Sequence, residues 1–309
     1  MQPLLSICIP TKNRVDILRK TLESILNQNV SADVYEVCVS DNSPTDETKN
    51  LIQNEFQYVS NLRYQKSNCE GFLNSMEALK LGKGKLLKLH NDYSKFKDGS
   101  IEKMVNVTNK YMNSKPAIFF AMKTINNPQN ITEFHDFNSF LYNISYWSTW
   151  SSAFAIWKSD LDALIEHNIQ VDFMFPHTTL LFSLTEKSLY VVDDDDYVEN
   201  IPPKKKGGYN LVNNFVHIYL TMVHNLLEEK KISTTTYKQI EHRIIKFAAS
   251  WYAIVLTNSN YTFTFENKNK LIKKQSGLHG LLEFYLYCSY YCPKAIIKKI
   301  IKNILGYKS

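Results

Sequence analysis

The chain has 309 residues, 44% of them apolar, with only nine glycines, nine prolines and five cysteines. This composition excludes a collagen-like repeat, a low-complexity disordered chain and a small domain built on disulfides. The cysteines show no spacing typical of a zinc or redox site, which predicts reduced thiols and a cytosolic chain. The N-terminal residues lack a basic flank, and no segment offers roughly 20 predominantly apolar residues, so we expect neither a signal peptide nor a membrane span.

The formal charge of +6 is confined to the C-terminal end of the chain. Residues 271–309 contain seven lysines and one acidic residue, whereas the preceding residues contain equal numbers of basic and acidic side chains. A neutral body argues against nucleic acid as a partner, and a basic tail favours binding to an anionic surface.

The first third of the chain predicts strands and helices in strict alternation. Apolar runs predict strands, and apolar residues at helical spacing predict the helices between them. The predicted strands are residues 4–10, 35–40, 62–65 and 86–89, and the predicted helices are 15–28, 45–56 and 72–81. Such alternation implies right-handed crossovers, and hence an α/β fold with a mainly parallel sheet.

The remainder of the chain is mixed up to about residue 200 and helical beyond it. The basic stretch of Pro, Lys and Gly at 202–208 marks the predicted boundary between a domain at 1–203 and a helical region at 204–309. We interpret the three lysines at 204–206 as a solvated linker, with a loop closing over a bound diphosphate as the alternative. The acidic run at 193–196 is interpreted as a solvated loop rather than a metal site.

Polar side chains follow three of the four predicted strands. Thr11 follows the first strand, Asp41 the second and Asp92 the fourth. Because ligands of parallel sheets bind beyond the carboxyl ends of the strands, we expect a site at this edge. No G-x-G-x-x-G follows the first strand and no G-x-x-x-x-G-K-[ST] occurs, so the common dinucleotide and P-loop sites are not expected. The alternative for Asp41 is a turn or an Asx cap, and for Asp92 a cap of the next turn.

Four segments in this order resemble the family-two glycosyltransferases, which are inverting enzymes with the glycosyltransferase A fold. They are S-I-C-I-P-T-K-N-R at 6–14, V-C-V-S-D-N-S-P-T-D at 37–46, S-N-C-E-G-F-L-N-S-M-E-A-L at 67–79 and G-K-G-K-L-L-K-L-H-N-D-Y at 82–93. The resemblance covers about the first 105 residues and is strongest to the branch that builds bacterial O-antigens, capsules and wall polymers. It implies transfer of a sugar from a nucleoside-diphosphate donor, with a UDP-sugar as the expected donor.

The resemblance also assigns roles to residues at the strand ends. The donor-binding residues would be Pro10, Thr11, Asn13, Asp41, Asn68, His90 and Asn91. Asp92 would hold Mn²⁺ or Mg²⁺, and His90 stands where the family usually has another Asp. Because imidazole suits Mn²⁺ better than Mg²⁺, His90 favours manganese if it is a ligand, but it could instead contact ribose or phosphate, or be a polar loop residue. Arg14 is interpreted either as a donor-site residue or as a solvated residue at the helix start.

An inverting transferase needs a general base that takes the proton of the acceptor hydroxyl. Aligned on the predicted helix at 178–184, His177 falls where the family has its catalytic Asp. An unperturbed imidazole titrates near 6.5, so His177 could act as the base at neutral pH. Asp172 is the rival, with more familiar chemistry but a poorer spacing. The alternatives are a helix cap for His177 and a turn for Asp172.

The C-terminal segment 294–305 repeats pairs of apolar residues every four positions, with lysines between them. This pattern predicts a basic amphipathic helix, and the tyrosine-rich segment before it suits a membrane interface. We therefore expect a peripheral protein on the inner face of the plasma membrane, with a glycan or polyprenyl-diphosphate-linked acceptor. The alternative is a helix that packs on its own core or on a second subunit.

Two other functions are compatible with parts of the sequence. A catalytically silent sugar-nucleotide-binding or scaffolding subunit would explain the imperfect metal triplet and the missing acidic pair. A nucleotidyltransferase is less favoured, because the T-K-N-R loop is not the Gly- and Arg-rich first loop of those enzymes.

Overall fold

The computed structural model describes residues 2–201 and 206–304. The chain divides into two compact units, Met1–Pro202 and Pro203–Ser309. The predicted boundary between residues 203 and 204, and the first two lysines of the 204–206 run, lie outside the described residues.

The first unit alternates strands and helices along its first half. Its strands are β1 (Leu5–Thr11), β2 (Tyr35–Asp41), β3 (Leu62–Lys66), β4 (Leu86–Leu89), β5 (Ser94–Phe96), β6 (Ala117–Phe120), β7 (Ile131–Phe134), β8 (Ala155–Trp157), β9 (Tyr190–Asp193) and β10 (Val198–Asn200). Its helices are α1 (Val15–Leu26), α2 (Glu47–Glu55), α3 (Asn74–Leu81), α4 (Ser100–Tyr111), α5 (Phe137–Ile144), α6 (Lys158–Glu166) and α7 (Pro176–Phe182). Short 3-10 turns occupy Gly71–Leu73, Ser145–Thr149 and Ser151–Ala153.

The central sheet has the strand order β3-β2-β1-β4-β8. The first four strands are parallel, and β8 runs antiparallel to β4. Every residue of β2 is buried, as expected for a strand covered by helices on both faces. On α1, the helically spaced Leu18, Leu22 and Ile25 are fully buried in the same core. The prediction of an α/β fold with a mainly parallel sheet is confirmed.

The acidic run at 193–196 is not the solvated loop that we predicted, because its first two carboxylates are buried. Asp193 ends β9 and accepts a hydrogen bond from the Tyr197 hydroxyl at 2.5 Å. Asp194 accepts from the backbone amides of Ile125 at 3.4 Å and Asn127 at 3.0 Å. These carboxylates are therefore structural acceptors for neighbouring segments, while the other two form ion pairs with surface lysines.

The second unit is mainly helical. It contains β11 (Lys206–Asn210), a π-helix (Val212–Tyr219), α8 (Leu220–Glu228), α9 (Thr234–Thr257), β12 (Tyr261–Thr264) and α10 (Lys268–Ile304). Strands β11 and β12 form a parallel pair. Helix α10 is interrupted at Gly277, whose φ of 65° lies in the left-handed region that favours glycine. The predicted amphipathic segment forms the end of α10, and residue 305 lies outside the described residues.

Candidate functional site

The carboxyl ends of β1, β2 and β4 lie side by side at one edge of the central sheet. Thr11 is directly opposite Asp41 in the register of β1 and β2. The backbone amide of His90, just beyond β4, donates to the Cys8 carbonyl of β1 at 2.8 Å. The structure therefore brings the predicted strand-end residues together at this edge.

Asp92 is a buried carboxylate at this edge, and it is 2% exposed. Its Oδ2 accepts from the Thr11 hydroxyl at 2.8 Å, and its Oδ1 accepts from Arg14 Nη1 at 2.9 Å. Its backbone carbonyl accepts from the Thr21 hydroxyl at 2.8 Å. Burial raises the pKa of Asp92, while the charge of Arg14 and the hydrogen bonds from Thr11 and Arg14 act in the opposite direction.

Arg14 is a site residue that sequence reasoning left undecided. Its guanidinium pairs with Asp92 and lies 5.5 Å from the centre of the Tyr93 ring. The sequence feature that could have indicated this pair was an arginine in the loop after β1 and an aspartate in the loop after β4, the neighbouring strand. Because guanidinium groups suit both carboxylates and phosphates, Arg14 gives this edge an anion-binding group.

Asp41 is fully buried at the end of β2. Its Oδ1 accepts from the Ser43 amide at 2.9 Å and from the Ser43 hydroxyl. Its Oδ2 accepts from the Tyr64 hydroxyl at 3.2 Å and from Lys66 Nζ at 3.5 Å. Both carboxylate oxygens thus have partners within the protein, which favours the turn interpretation of Asp41 over a direct donor contact.

The remaining donor-binding candidates at this edge are more accessible. Asn13 and Asn68 are exposed, and Pro10 is half-buried. The backbone of Asn13 is left-handed, with φ of 55°, and its amide donates to the Ser43 hydroxyl at 2.8 Å. This bond joins the loop after β1 to the loop after β2.

Asn74, the first residue of α3, connects these loops and was not singled out from the sequence. Its side-chain amide donates to the carbonyls of Ser40 at 2.8 Å and Thr11 at 3.3 Å, and to Asn42 Oδ1 at 3.2 Å. Asn42 in turn donates to the Gly71 carbonyl at 3.3 Å. A buried asparagine needs hydrogen-bond partners. The Asn that directly follows the G-F-L segment was therefore the sequence feature that could have indicated this role.

His90 is fully buried rather than presented to a ligand. Its Nε2 lies 2.6 Å from the Ser94 carbonyl, and its ring stacks on Phe96 at 4.3 Å, because β5 folds back over it. Burial and the nearby charge of Lys88 lower the pKa of His90 to about 3. The expected contact of His90 with a metal, ribose or phosphate is not supported by this placement.

Asn91 connects the β4 loop to the segment at 151–152. Its side chain accepts from the Ser151 hydroxyl at 3.1 Å and donates to the Tyr93 hydroxyl at 3.0 Å. Lys88, buried within β4, donates to the Ser152 carbonyl at 2.7 Å, and burial lowers the pKa of its ammonium to about 7. A lysine inside the L-L-K-L run was a sequence signal that we did not use.

The two candidates for the general base have different environments. His177, on α7, is 5% exposed, and its Nε2 lies 2.9 Å from the Thr149 carbonyl. Burial lowers the pKa of His177 to about 4. Asp172 is half-buried, and its Oδ1 accepts from the amides of Met174 and Phe175, both at 2.8 Å. Within residues 2–201 and 206–304, Asp172 Oδ2 has no hydrogen-bond partner, so Asp172 is better placed to accept a proton.

Phe173 places the Asp172 segment next to the segment that follows β3. A Cβ atom on Gly71 would lie 2.7 Å from Phe173 Cζ, so the ring lies directly against the Gly71 backbone. Gly71 also has φ of 53°, which a larger residue adopts only with strain. Because the Gly71 carbonyl binds Asn42, the Asp172 segment belongs to the same edge of the sheet.

The described part of the chain contains no group of three or more His, Cys, Asp or Glu side chains that could hold a metal ion. Asp92 supplies one hard oxygen ligand of the kind that Mg²⁺ and Mn²⁺ prefer, and His90 does not join it. These residues fit a cation held by a single carboxylate together with oxygens of a phosphorylated ligand, and the same carboxylate already accepts hydrogen bonds from Thr11 and Arg14.

Residues 6–152 match the family described as Glycosyl transferase family 2. The chain is 34% identical over 84 residues to abequosyltransferase RfbV of Salmonella typhimurium, which is 26% of this chain and 25% of that protein. It is 29% identical over 114 residues, 35% of each protein, to a Campylobacter jejuni GalNAc(5)-diNAcBac-PP-undecaprenol beta-1,3-glucosyltransferase. The chain therefore spans only a quarter to a third of the length of these curated relatives.

Solved structures match over nearly the whole chain. The crystal structure of S. aureus TarS 1-349 in complex with UDP-GlcNAc has a TM-score of 0.60 at 13% identity, covering 98% of this chain and 93% of that one. The mannosyltransferase PcManGT from Pyrobaculum calidifontis, in complex with GDP-Man and Mn²⁺, has a TM-score of 0.54 at 13% identity, covering 100% and 89%. The chain thus has the glycosyltransferase A fold, and its residues 6–152 match the family 2 glycosyltransferases.

Proposed function

We propose that this protein is an inverting glycosyltransferase that moves a sugar from a nucleoside-diphosphate donor to a bacterial surface polysaccharide or a lipid-linked acceptor. The observation that carries the proposal is the contact of Thr11 and Arg14 with Asp92 at the edge of a family 2 domain. Residues 1–203 would be the catalytic domain. The names of the Salmonella and Campylobacter relatives support the choice of surface-polymer chemistry.

The donor is proposed to lie across the ends of β1, β2 and β4. Arg14 supplies positive charge for a diphosphate, and Asn13 and Asn68 offer accessible polar side chains. We propose a UDP-sugar, which agrees with the UDP-GlcNAc complex of the TarS neighbour, although another neighbour was solved with GDP-Man. Asp41 and Asn74 act in this proposal by holding the loops in place.

Asp92 would be the protein ligand of a divalent cation, Mn²⁺ or Mg²⁺. When bound, such a cation supplies charge stabilisation for the departing nucleoside diphosphate. Arg14 is a second source of positive charge at the same place, and its guanidinium can donate to phosphate oxygens.

Asp172 is proposed as the general base. Its carboxylate takes the proton of the acceptor hydroxyl, the acceptor oxygen bonds to the anomeric carbon, and the bond from that carbon to the phosphate oxygen breaks. The electron pair leaves with the nucleoside diphosphate, and the anomeric configuration inverts. His177 positions α7 through the Thr149 carbonyl, because its nearly buried ring offers little access to an acceptor.

The test is turnover of a panel of nucleotide sugars with Mn²⁺ or Mg²⁺, with water as the acceptor. Proton NMR of the first product reports the anomer, and inversion of an α-linked donor gives the β-sugar. Asp92→Asn should reduce turnover by about a hundredfold or more while leaving the melting temperature nearly unchanged. Asp46→Asn, which alters an exposed carboxylate in the β2 loop, is the matched control and should retain activity.

A fully active Asp92→Asn variant would refute the assignment of Asp92. Tight nucleotide binding without turnover of any donor would favour the silent-subunit alternative. A product that retains the anomeric configuration would exclude the inverting mechanism, but it would still support the proposal that the protein transfers a sugar.

We further propose that α10 places the enzyme on an anionic membrane surface, the inner face of the plasma membrane, where lipid-linked acceptors reside. Ten large apolar side chains of α10 are 44–77% exposed: Leu278, Leu282, Tyr285, Leu286, Tyr290, Ile296, Ile297, Ile300, Ile301 and Ile304. At 3.6 residues per turn, they lie within about half of the helix circumference. Phe284 and Cys288 face the other way and are buried.

The charge of α10 is consistent with such a surface. Lys294 and Lys299 flank the exposed apolar stripe, and Lys298 and Lys302 lie on the opposite side of the helix. Lysines at the edge of a membrane contribute roughly 1 kcal/mol each near anionic lipids. No helix among residues 2–201 and 206–304 is both long and apolar enough to cross a membrane.

A further inference from the structure

Both carboxylate oxygens of Asp92 already accept a hydrogen bond within the protein. Oδ2 is bonded to Thr11 and Oδ1 to Arg14, at 2.8 and 2.9 Å. The Arg14 pair also neutralises the charge that would attract a cation. A divalent ion that takes Asp92 as its ligand would therefore lie beside the positively charged guanidinium, and this repulsion favours displacement of Arg14 from the carboxylate.

Arg14 is the partner that can leave. Its side chain is 38% exposed, compared with 3% for the Asp92 side chain, whereas Thr11 is buried. Among the described residues, Asp92 is the only acid with which Arg14 forms an ion pair. A long side chain at the rim of the site can turn towards solvent or a ligand, which Thr11 cannot do without moving the end of β1.

The free-energy cost of displacing Arg14 from Asp92 depends on whether a diphosphate binds together with the cation. A cation alone breaks the Arg14–Asp92 pair and leaves the guanidinium without a carboxylate. A cation that arrives with a diphosphate supplies phosphate oxygens to which the same guanidinium can donate, so the lost ion pair is replaced. The exchange therefore favours the two ligands together over the cation alone.

We propose that Arg14 and the divalent cation compete for Asp92, and that Arg14 transfers to the donor diphosphate when the cation takes its place. The proposal rests on the proposed nucleotide-sugar site. It makes cation and nucleotide binding mutually dependent, because each ligand removes a cost that the other would bear by itself. Arg14 thereby becomes a donor-binding residue that also determines the order in which the ligands bind.

The test is binding of Mn²⁺ to the 309-residue chain, with and without UDP, measured by the electron paramagnetic resonance signal of free Mn²⁺. Wild-type protein should bind Mn²⁺ weakly by itself and at least about tenfold more tightly with UDP, the effect expected for a charge-assisted hydrogen bond. Arg14→Gln should bind Mn²⁺ by itself at least about tenfold more tightly than wild type. UDP should then increase its Mn²⁺ affinity by a smaller factor than in wild type, because the phosphate oxygens still bind the cation but no Arg14–Asp92 pair remains to be broken.

Two variants separate the exchange from a general charge effect. Lys12→Gln removes a positive charge from the same loop at an exposed position and should behave like wild type within about twofold. Arg14→Lys keeps the charge without the guanidinium fork, and it should give an intermediate affinity for Mn²⁺ by itself. If Arg14→Gln fails to fold, as judged by its melting curve, the Arg14→Lys result decides.

The proposal is overturned if Arg14→Gln binds Mn²⁺ by itself no more tightly than wild type. It is also overturned if Lys12→Gln shows the same gain, or if wild type binds Mn²⁺ equally well with and without UDP. This binding measurement does not require turnover of a donor. If the predicted coupling is found but the protein turns over no donor, the transferase proposal is contradicted and the exchange of Arg14 is still supported.

Discussion

Asp172 and His177 differ in the atoms that they leave available for proton transfer. In Asp172, Oδ1 holds the turn into α7 through two backbone amides, while Oδ2 has no hydrogen-bond partner among the described residues. In His177, Nε2 is engaged with the Thr149 carbonyl and the ring is nearly buried. One carboxylate can therefore support the fold and accept a proton at the same time.

Asp172→Asn should lower kcat for donor turnover by about a hundredfold to ten-thousandfold, because an amide cannot act as a base. The retained Oδ1 should preserve the turn, so KM for the donor and the free energy of unfolding should change little. His177→Gln is the comparison, since its amide can still reach the Thr149 carbonyl. Steady-state kinetics and urea unfolding provide the two readouts. Unchanged kcat in Asp172→Asn, together with a large loss in His177→Gln, would reverse the assignment.

At the scale of elements, the first 90 residues were predictable because short apolar runs alternate there with segments whose apolar residues recur at helical spacing. The residue types of the site were predictable as well, because polar side chains at neighbouring strand ends converge. The directions in which these side chains point were not predictable from the sequence. His90 is buried because β5 returns over it, and Asp194 because the 125–127 loop needs an acceptor. Such contacts depend on distant segments whose positions no local pattern specifies.

The exposed apolar stripe of α10 provides a second prediction at this scale. Wild-type protein should cosediment with vesicles containing anionic phosphatidylglycerol and much less with neutral phosphatidylcholine vesicles. Ile297→Glu combined with Ile301→Glu should lower the bound fraction by about tenfold, because it places two charges on the apolar face. Leu256→Glu alters an exposed apolar residue of α9 and should bind like wild type.

Sedimentation of wild type and the double variant without vesicles tests whether a second copy of the chain, rather than a membrane, covers the exposed apolar stripe. If the wild-type chain is a dimer that dissociates in Ile297→Glu/Ile301→Glu, and the vesicles bind neither protein, then a second copy covers α10. Equal binding of the double variant and wild type to anionic vesicles would contradict the role assigned to this stripe.

At the scale of the whole molecule, the two units carry different surfaces. The residues proposed for donor binding and catalysis all belong to the unit Met1–Pro202, and the exposed apolar stripe belongs to Pro203–Ser309. In the proposed function, the first unit performs the transfer and the second brings it to membrane-borne acceptors. The family 2 match ends at residue 152, so the Asp172 segment, α7 and the whole second unit lie beyond it.

The central claim is that a nucleoside diphosphate binds at the edge formed by β1, β2 and β4. A crystal structure of the full chain with UDP and Mn²⁺ tests this most directly. The account predicts the diphosphate and cation beside Asp92, with the Arg14 guanidinium moved from the carboxylate to a phosphate oxygen. A nucleotide found elsewhere, with the Arg14–Asp92 pair intact and this edge free of ligand, would contradict it.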